Sequence, residues 1–121
     1  MSLLIDIYDW WAMDRPEQPA IVDHNDQINF RELRQWSNAL ANELVDRGMK
    51  VGDRVSVLGA NSIPYAVLAH AVMRAGAILC SVNPRSTTRE VIYFFEKYEP
   101  TFIVCDEVGG TAAKEALASA P

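Results

Sequence analysis

The feature that most constrains this chain is the regular succession of segments from Gly52 onward. Largely apolar, strand-like runs at Arg54 to Leu58, Ala77 to Val82 and Thr101 to Cys105 alternate with helical patterns at Ile63 to Ala75 and Thr88 to Tyr98. A strand with one wet face alternates polar and apolar residues; the runs at Ala77 to Val82 and Thr101 to Cys105 do not, so both of their faces are expected to be buried. Strands of this kind separated by helices predict an α/β fold, a parallel sheet with helices on both faces. The punctuation agrees. Ser62 can cap the helix that carries Pro64 near its start, Gly76 ends that helix, and Thr87 with Glu90 makes a capping box. His70, mid-helix between Val67 and Met73, is expected to be a partly buried structural residue.

An N-terminal helix and a short hairpin precede this region. Residues 3 to 13 have Leu3, Leu4, Ile7, Tyr8 and Trp11 at helical spacing, with Ser2 at the start and Pro16 and Pro19 past the end. Trp10 and Met13 fall on the side shared with Asp6 and Asp9, so this helix has more apolar surface than one groove covers. Ala20 to Asp23 and Gln27 to Asn29 are strands around a His-Asn-Asp turn, in which His24 is expected to be solvated. A long helix then runs from Phe30 to about Arg47, with Phe30, Leu33, Trp36, Leu40 and Leu44 on one face and Gly48 as its stop. Asn29 caps it, Glu32 reaches back to the Asn29 amide, and Ile28 staples onto Leu33. At the other end, Gly109-Gly110 suggests a loop, and Thr111 to Pro121 the opening turns of another helix. No strand is left to receive that helix, so residues 1–121 are expected to be part of a domain.

Composition narrows the function classes. At 121 residues the chain is one domain at most, burying roughly two-thirds of its unfolded surface. Eleven Lys and Arg stand against sixteen Asp and Glu, a net charge of -5, with no basic run, which argues against a nucleic-acid partner. His70 and Arg74 interrupt the most apolar stretch, Ala66 to Val82, so no transmembrane segment is expected. Asp6 and Asp9 stand where a secretory leader would be positively charged. The expectation is a soluble, cytoplasmic protein. Cys80 and Cys105 sit in apolar runs and are expected to be reduced core residues; they have no partner histidine spacing for zinc.

An open parallel sheet binds ligands beyond the carboxyl ends of its strands. Asn61, Asn83, Asp106 and Glu107 are the polar groups there. Each has a plain structural role available: loop or near-cap for Asn61, turn residue before Pro84 for Asn83, solvated acids for Asp106 and Glu107. Sharper motifs fail. Gly59-Ala-Asn-Ser-Ile-Pro lacks the second and third glycines of a dinucleotide fingerprint, and Gly109-Gly-Thr-Ala-Ala-Lys114 has Glu115 where a P-loop needs Ser or Thr. Neither histidine is spaced for a nucleophile and an orienting acid. No catalytic, cofactor-binding or metal-binding residue is assigned.

Several segments together resemble the N-terminal part of the adenylate-forming superfamily, the AMP-dependent synthetases and ligases that include acyl-CoA synthetases. Ile28-Asn-Phe-Arg-Glu-Leu33 is similar to an early Thr-Tyr-x-Glu-Leu signature, Gly52-Asp-Arg-Val55 to a Gly-Asp-Arg-Val turn, and Met73-Arg-Ala-Gly-Ala-Ile-Leu-Cys-Ser-Val-Asn-Pro84 to a Lys-Ala-Gly-x-x-x-x-Pro segment. Pro19-Ala20, Asn61 and Thr87 to Val91 follow in order, so the resemblance runs from about Trp11 to Asp106. The wording Val82-Asn-Pro-Arg85 is nearer to acyl- or aryl-CoA ligases than to the adenylation domains of peptide synthetases.

The resemblance implies a two-step reaction in the parent family: a carboxylate attacks the α-phosphate of magnesium ATP, and a thiol such as coenzyme A then displaces AMP. It also implies that the phosphate loop, the later acidic motifs and the catalytic lysine lie beyond these residues. The chain alone is therefore expected to bind no cofactor and to be inactive, while ATP, magnesium and CoA belong to the parent ligase. Its expected partner is the remainder of that ligase, or a second copy meeting it through Trp10, Trp11 or an open sheet edge. Leaving about 1,000 Å² of apolar surface bare forgoes on the order of 25 kcal/mol by area, an upper bound. The competing reading is a stand-alone, non-catalytic α/β interaction module.

Overall fold

The computed structural model describes residues 3–119. Along it run α1 (Leu3–Asp14), β1 (Pro19–Asp23), β2 (Asp26–Asn29), α2 (Phe30–Asp46), β3 (Arg54–Leu58), α3 (Ile63–Arg74), β4 (Ile78–Ser81), α4 (Thr88–Tyr98), β5 (Phe102–Cys105) and α5 (Glu107–Ser119). The fold is α/β, with a parallel three-stranded sheet and a small antiparallel hairpin, as the strand pattern predicts. Ser2, expected to start α1, lies outside the described residues. The elements group into two compact units: α1, the hairpin, α2 and α3 in one; β3, β4, β5, α4 and α5 in the other.

In the sheet unit β3 is central and the strand order is β4-β3-β5. Val55 pairs with Leu79 on one side and Phe102 on the other, both parallel. β4 and β5 are successive but not neighbours, so α4 carries the chain across β3. Leu58 packs with Val82, Val91, Ala113 and Ala116, which brings α4 and α5 onto one face. Val55 and Val57, of the opposite alternation, are fully buried as well. Ser56, on the Leu58 side, is buried too, so β3 is covered on both faces although its sequence alternates. α4 has the predicted capping box, and its last turn closes on Glu99 in a left-handed conformation.

α5 departs from the sequence reading. It starts at Glu107, so Gly109 and Gly110 are helical and not a loop. A Cβ added at Gly109 would lie 2.5 Å from the Leu58 carbonyl oxygen. The glycine is there because the helix passes directly over the end of β3, a contact between backbones that a single sequence does not display.

In the other unit β1 and β2 pair antiparallel, with Ile21 opposite Ile28 and a register shift between Pro19 and Ile21. α2 opens on the expected reciprocal cap: Glu32 N–H donates to Asn29 Oδ1 at 2.8 Å, and Asn29 N–H donates to Glu32 Oε1 at 3.1 Å. Ile28 and Leu33 share one core with Ile63 and Val67, as the staple requires. Gly48 takes φ 104° past the helix end.

Both N-terminal helices are turned relative to the stripes read from their sequences. α2 buries Leu33, Ser37, Ala41 and Leu44, while Trp36 is 46% exposed. Small side chains at Ser37 and Ala41 let α2 lie close to α3, whose Ala71 is also fully buried. α1 buries Ile5 and Ala12 and leaves Leu4, Ile7, Trp10 and Met13 exposed. The cause is Asp9, which the helical spacing puts on the wet side and which instead turns inward to meet Arg74 on α3.

Candidate functional site

The carboxyl ends of the parallel strands are the natural place to look for a ligand, and there Asp106 and Asn83 accept from nearby backbone amides. Gly109 N–H donates to Asp106 Oδ1 at 3.0 Å and Ala60 N–H donates to Oδ2 at 2.8 Å. Asp106, exposed and directly before the helix as expected, is thus also the cap of α5 and a clamp on the loop leaving β3. Glu107 is exposed in the first turn of α5, where its charge suits the helix dipole. Arg85 N–H donates to Asn83 Oδ1 at 2.9 Å, the turn role expected of an Asn before Pro.

Magnesium and phosphate require carboxylate oxygens turned to a cation and N–H groups turned to an anion. Asp106 gives both oxygens to amides. Among the described residues no three His, Cys, Asp or Glu side chains converge on a point that could hold a metal ion. No chemical step is assigned to these residues.

Asn61 lies in the other unit. It lines a cavity of about 330 Å³ with Ile21, Val22 and Asp23 of β1 and Ser62, Ile63, Tyr65 and Ala66 at the start of α3. Ser62 caps that helix, accepting from Tyr65 N–H at 3.2 Å. The cavity joins a strand edge to a helix start and is mostly apolar.

The sequence reading missed the polar group inside the same unit. Arg74 donates through Nη1, at 3.1 Å, and Nη2 to the two oxygens of Asp9, and through Nε to Ser37 Oγ at 2.8 Å. Arg34 Nε stands 3.8 Å from the same carboxylate. His70, one turn before Arg74, is buried, and its ring meets Tyr8 edge-on at 4.5 Å between centroids. Burial, and then the Arg74 charge, push the His70 pKa down, with Asp9 opposing. The one signal in the sequence is Arg74 itself, a cation ending an otherwise apolar helix.

The cysteines are a further correction. Cys80 is half-buried and Cys105 exposed, because both stand on the outer strands of the sheet and not on β3. No helix among the described residues is long and apolar enough to cross a membrane.

Comparison with known proteins supplies what the geometry leaves open. The profile of the family described as AMP-binding enzyme matches residues 8–121. Among curated proteins, the chain is 36% identical over 89 residues to the long-chain-fatty-acid–CoA ligase of Salmonella typhimurium, a match covering 73% of this chain and 16% of that one. It is 30% identical over 103 residues to the malformin synthetase mlfA of Aspergillus niger, covering 85% of this chain and 2% of the synthetase. Among solved structures, the N-terminal domain of FACL13 from Mycobacterium tuberculosis superposes with a TM-score of 0.91 at 20% identity, over 100% of this chain and 31% of that one. NpsA-ThdA, an artificially fused adenylation-PCP di-domain from Klebsiella oxytoca, gives a TM-score of 0.83 at 26% identity over 87% of this chain and 20% of its own. The chain thus spans a small part of the length of the proteins it matches. With a profile match over almost all of its residues and the same arrangement of elements, the chain belongs to the AMP-binding enzyme family.

Proposed function

We propose that this chain is the N-terminal part of the large domain of an acyl-CoA synthetase, and that it supplies architecture to an ATP-dependent acid–thiol ligase without carrying its reactive groups. In this reading the parent enzyme adenylates a carboxylic acid of the fatty-acid class and passes it to coenzyme A in the cytoplasm. Magnesium ATP and CoA are handled by residues outside the present sequence. The observation that carries the reading is the commitment of Asp106 and Asn83 to nearby amides at the sheet edge where a ligand would bind. The similarity to a named CoA ligase and the Val82-Asn-Pro-Arg85 wording favour a CoA ligase over a peptide-synthetase adenylation domain.

The test is magnesium-dependent exchange between ATP and pyrophosphate, run on the 121-residue chain with a panel of carboxylic acids. No exchange is expected; exchange that depends on the added acid would overturn the reading. A gene that continues into a Ser/Thr/Gly-rich loop would support it further.

The apolar face of α1, where Trp10 and Met13 are exposed, would be covered by the rest of the ligase. In the isolated chain we expect a second copy to cover it. Sedimentation should then show association that rises with concentration; a clean monomer throughout, with no binding of a hydrophobe-sensing dye, would contradict this.

A further inference from the structure

The cluster that joins α1 to α3 has an arrangement that the scaffold role does not explain. One carboxylate, Asp9, faces two guanidinium groups, Arg74 and Arg34. Beside them His70 is only 8% exposed, and its Nδ1 has no hydrogen-bond partner among the described residues. The neutral ring fits, because an unprotonated nitrogen can face apolar surroundings at modest cost and the ring edge packs on Tyr8. The imidazolium does not fit. Both of its nitrogens must donate. Nδ1 has no acceptor, the oxygens of Asp9 are already taken by Arg74, and a third cation would join two around a single anion. Among the described residues, Asp9 on α1 and Arg74 on α3 are the charges that act on His70, Tyr8 on α1 meets its ring, and Arg34 on α2 faces Asp9.

We propose that Tyr8, Asp9, His70 and Arg74 form a proton-sensitive latch: a proton taken up by His70 releases α1 from α2 and α3, so the chain exchanges an α1-docked form for an α1-released form in mild acid. α1 is the element that yields because Leu4, Ile7, Trp10 and Met13 are exposed while it is docked, whereas Ser37 of α2 and Ala71 of α3 are fully buried. The sign follows from linkage. Burial and Arg74 lower the folded pKa of His70 from 6.5, so the docked form holds fewer protons than the released form. Docking is at full strength above 6.5 and is lost as pH falls below it through the folded pKa. Protonation of Asp9 would act separately, near the usual carboxylate pKa of about 4.

Two of the three tryptophans lie on α1, which makes the release directly visible. The experiment follows Trp10 and Trp11 emission in a Trp36→Phe background, together with amide hydrogen exchange, from about pH 7.5 to about pH 5. Between 6.5 and the folded pKa of His70, protection of α1 amides should fall by up to about tenfold per pH unit and level off below that, while β3 amides keep theirs. Emission should shift to the red over the same range. His70→Phe and His70→Gln should abolish both changes. Unchanged α1 protection in the parent chain, loss of α1 and β3 protection together, or an undiminished transition in the His70 variants would each overturn the proposal.

Discussion

The two units solve the same problem, the burial of a helix against its neighbours, by different means. In the sheet unit α5 sits against an apolar cluster so close to β3 that one hydrogen atom's worth of space is allowed at Gly109. The helical unit closes around an ion pair, with Arg74 and Asp9 deciding which face of α1 turns inward. Dry contacts of the first kind tolerate no added volume, whereas contacts of the second kind tolerate no lost charge.

The largest effect is expected where the backbone contact is tightest. In an ordinary helix interior Gly→Ala stabilises by up to about 1 kcal/mol. Gly109→Ala should instead destabilise by about 3 kcal/mol, because its Cβ meets the Leu58 carbonyl. Gly110→Ala is the control: its Cβ would stand 3.8 Å from Cys105 Sγ, an ordinary contact, so a gain of about 0.5 kcal/mol is expected. Urea denaturation of the two variants separates these outcomes, and equal signs would break the distinction.

In the helical unit, Asp9→Asn leaves Arg74, whose side chain is only 9% exposed, without its counter-charge. About 2 kcal/mol should be lost, less than for a fully buried pair because Asp9 keeps contact with water. If Asp9→Asn and Asp6→Asn cost the same in thermal unfolding, the ion pair does not orient α1.

What can be read from the sequence divides along the same line. The caps at Asn29, Ser62 and Thr87 are legible because each is written within a few residues, and all three form. The strand positions and the parallel α/β arrangement are legible because short, largely apolar runs recur between capped helical patterns. The inward faces of α1 and α2 are not. Trp36 reads as core and Asp9 as surface, but Arg74 is 65 positions from Asp9 and reverses the assignment for α1. Gly109 reads as a loop residue because the need for a glycine lies in Leu58, far away in the chain. At the candidate site, the turn role of Asn83 is visible beside Pro84, whereas the hold of Asp106 on Ala60 spans two separate loops.

Smaller effects sharpen the comparison. Asp106→Ala removes a helix cap and the link to Ala60, and should cost about 1.5 kcal/mol by chemical denaturation. A cost near zero would show that neither the cap nor the link to Ala60 contributes to stability. The smallest effect is at α4, where Thr87→Ala should cost about 1 kcal/mol. The Thr87 backbone N–H, then its hydroxyl, hold the Glu90 pKa below 4.5. The cap therefore contributes fully above pH 4.5 and fades as pH falls through the lowered value. Glu90→Gln should flatten stability in that acid range and leave the step governed by His70 in place.

Whether these residues grip nucleotide decides between scaffold and active site most directly. Calorimetric titration of the 121-residue chain with magnesium ATP, and with a non-hydrolysable acyl-adenylate analogue, measures this without any assumption about the substrate acid. A scaffold gives no saturable heat with either, and that is the expected result. Tight binding at one molecule per chain would contradict it.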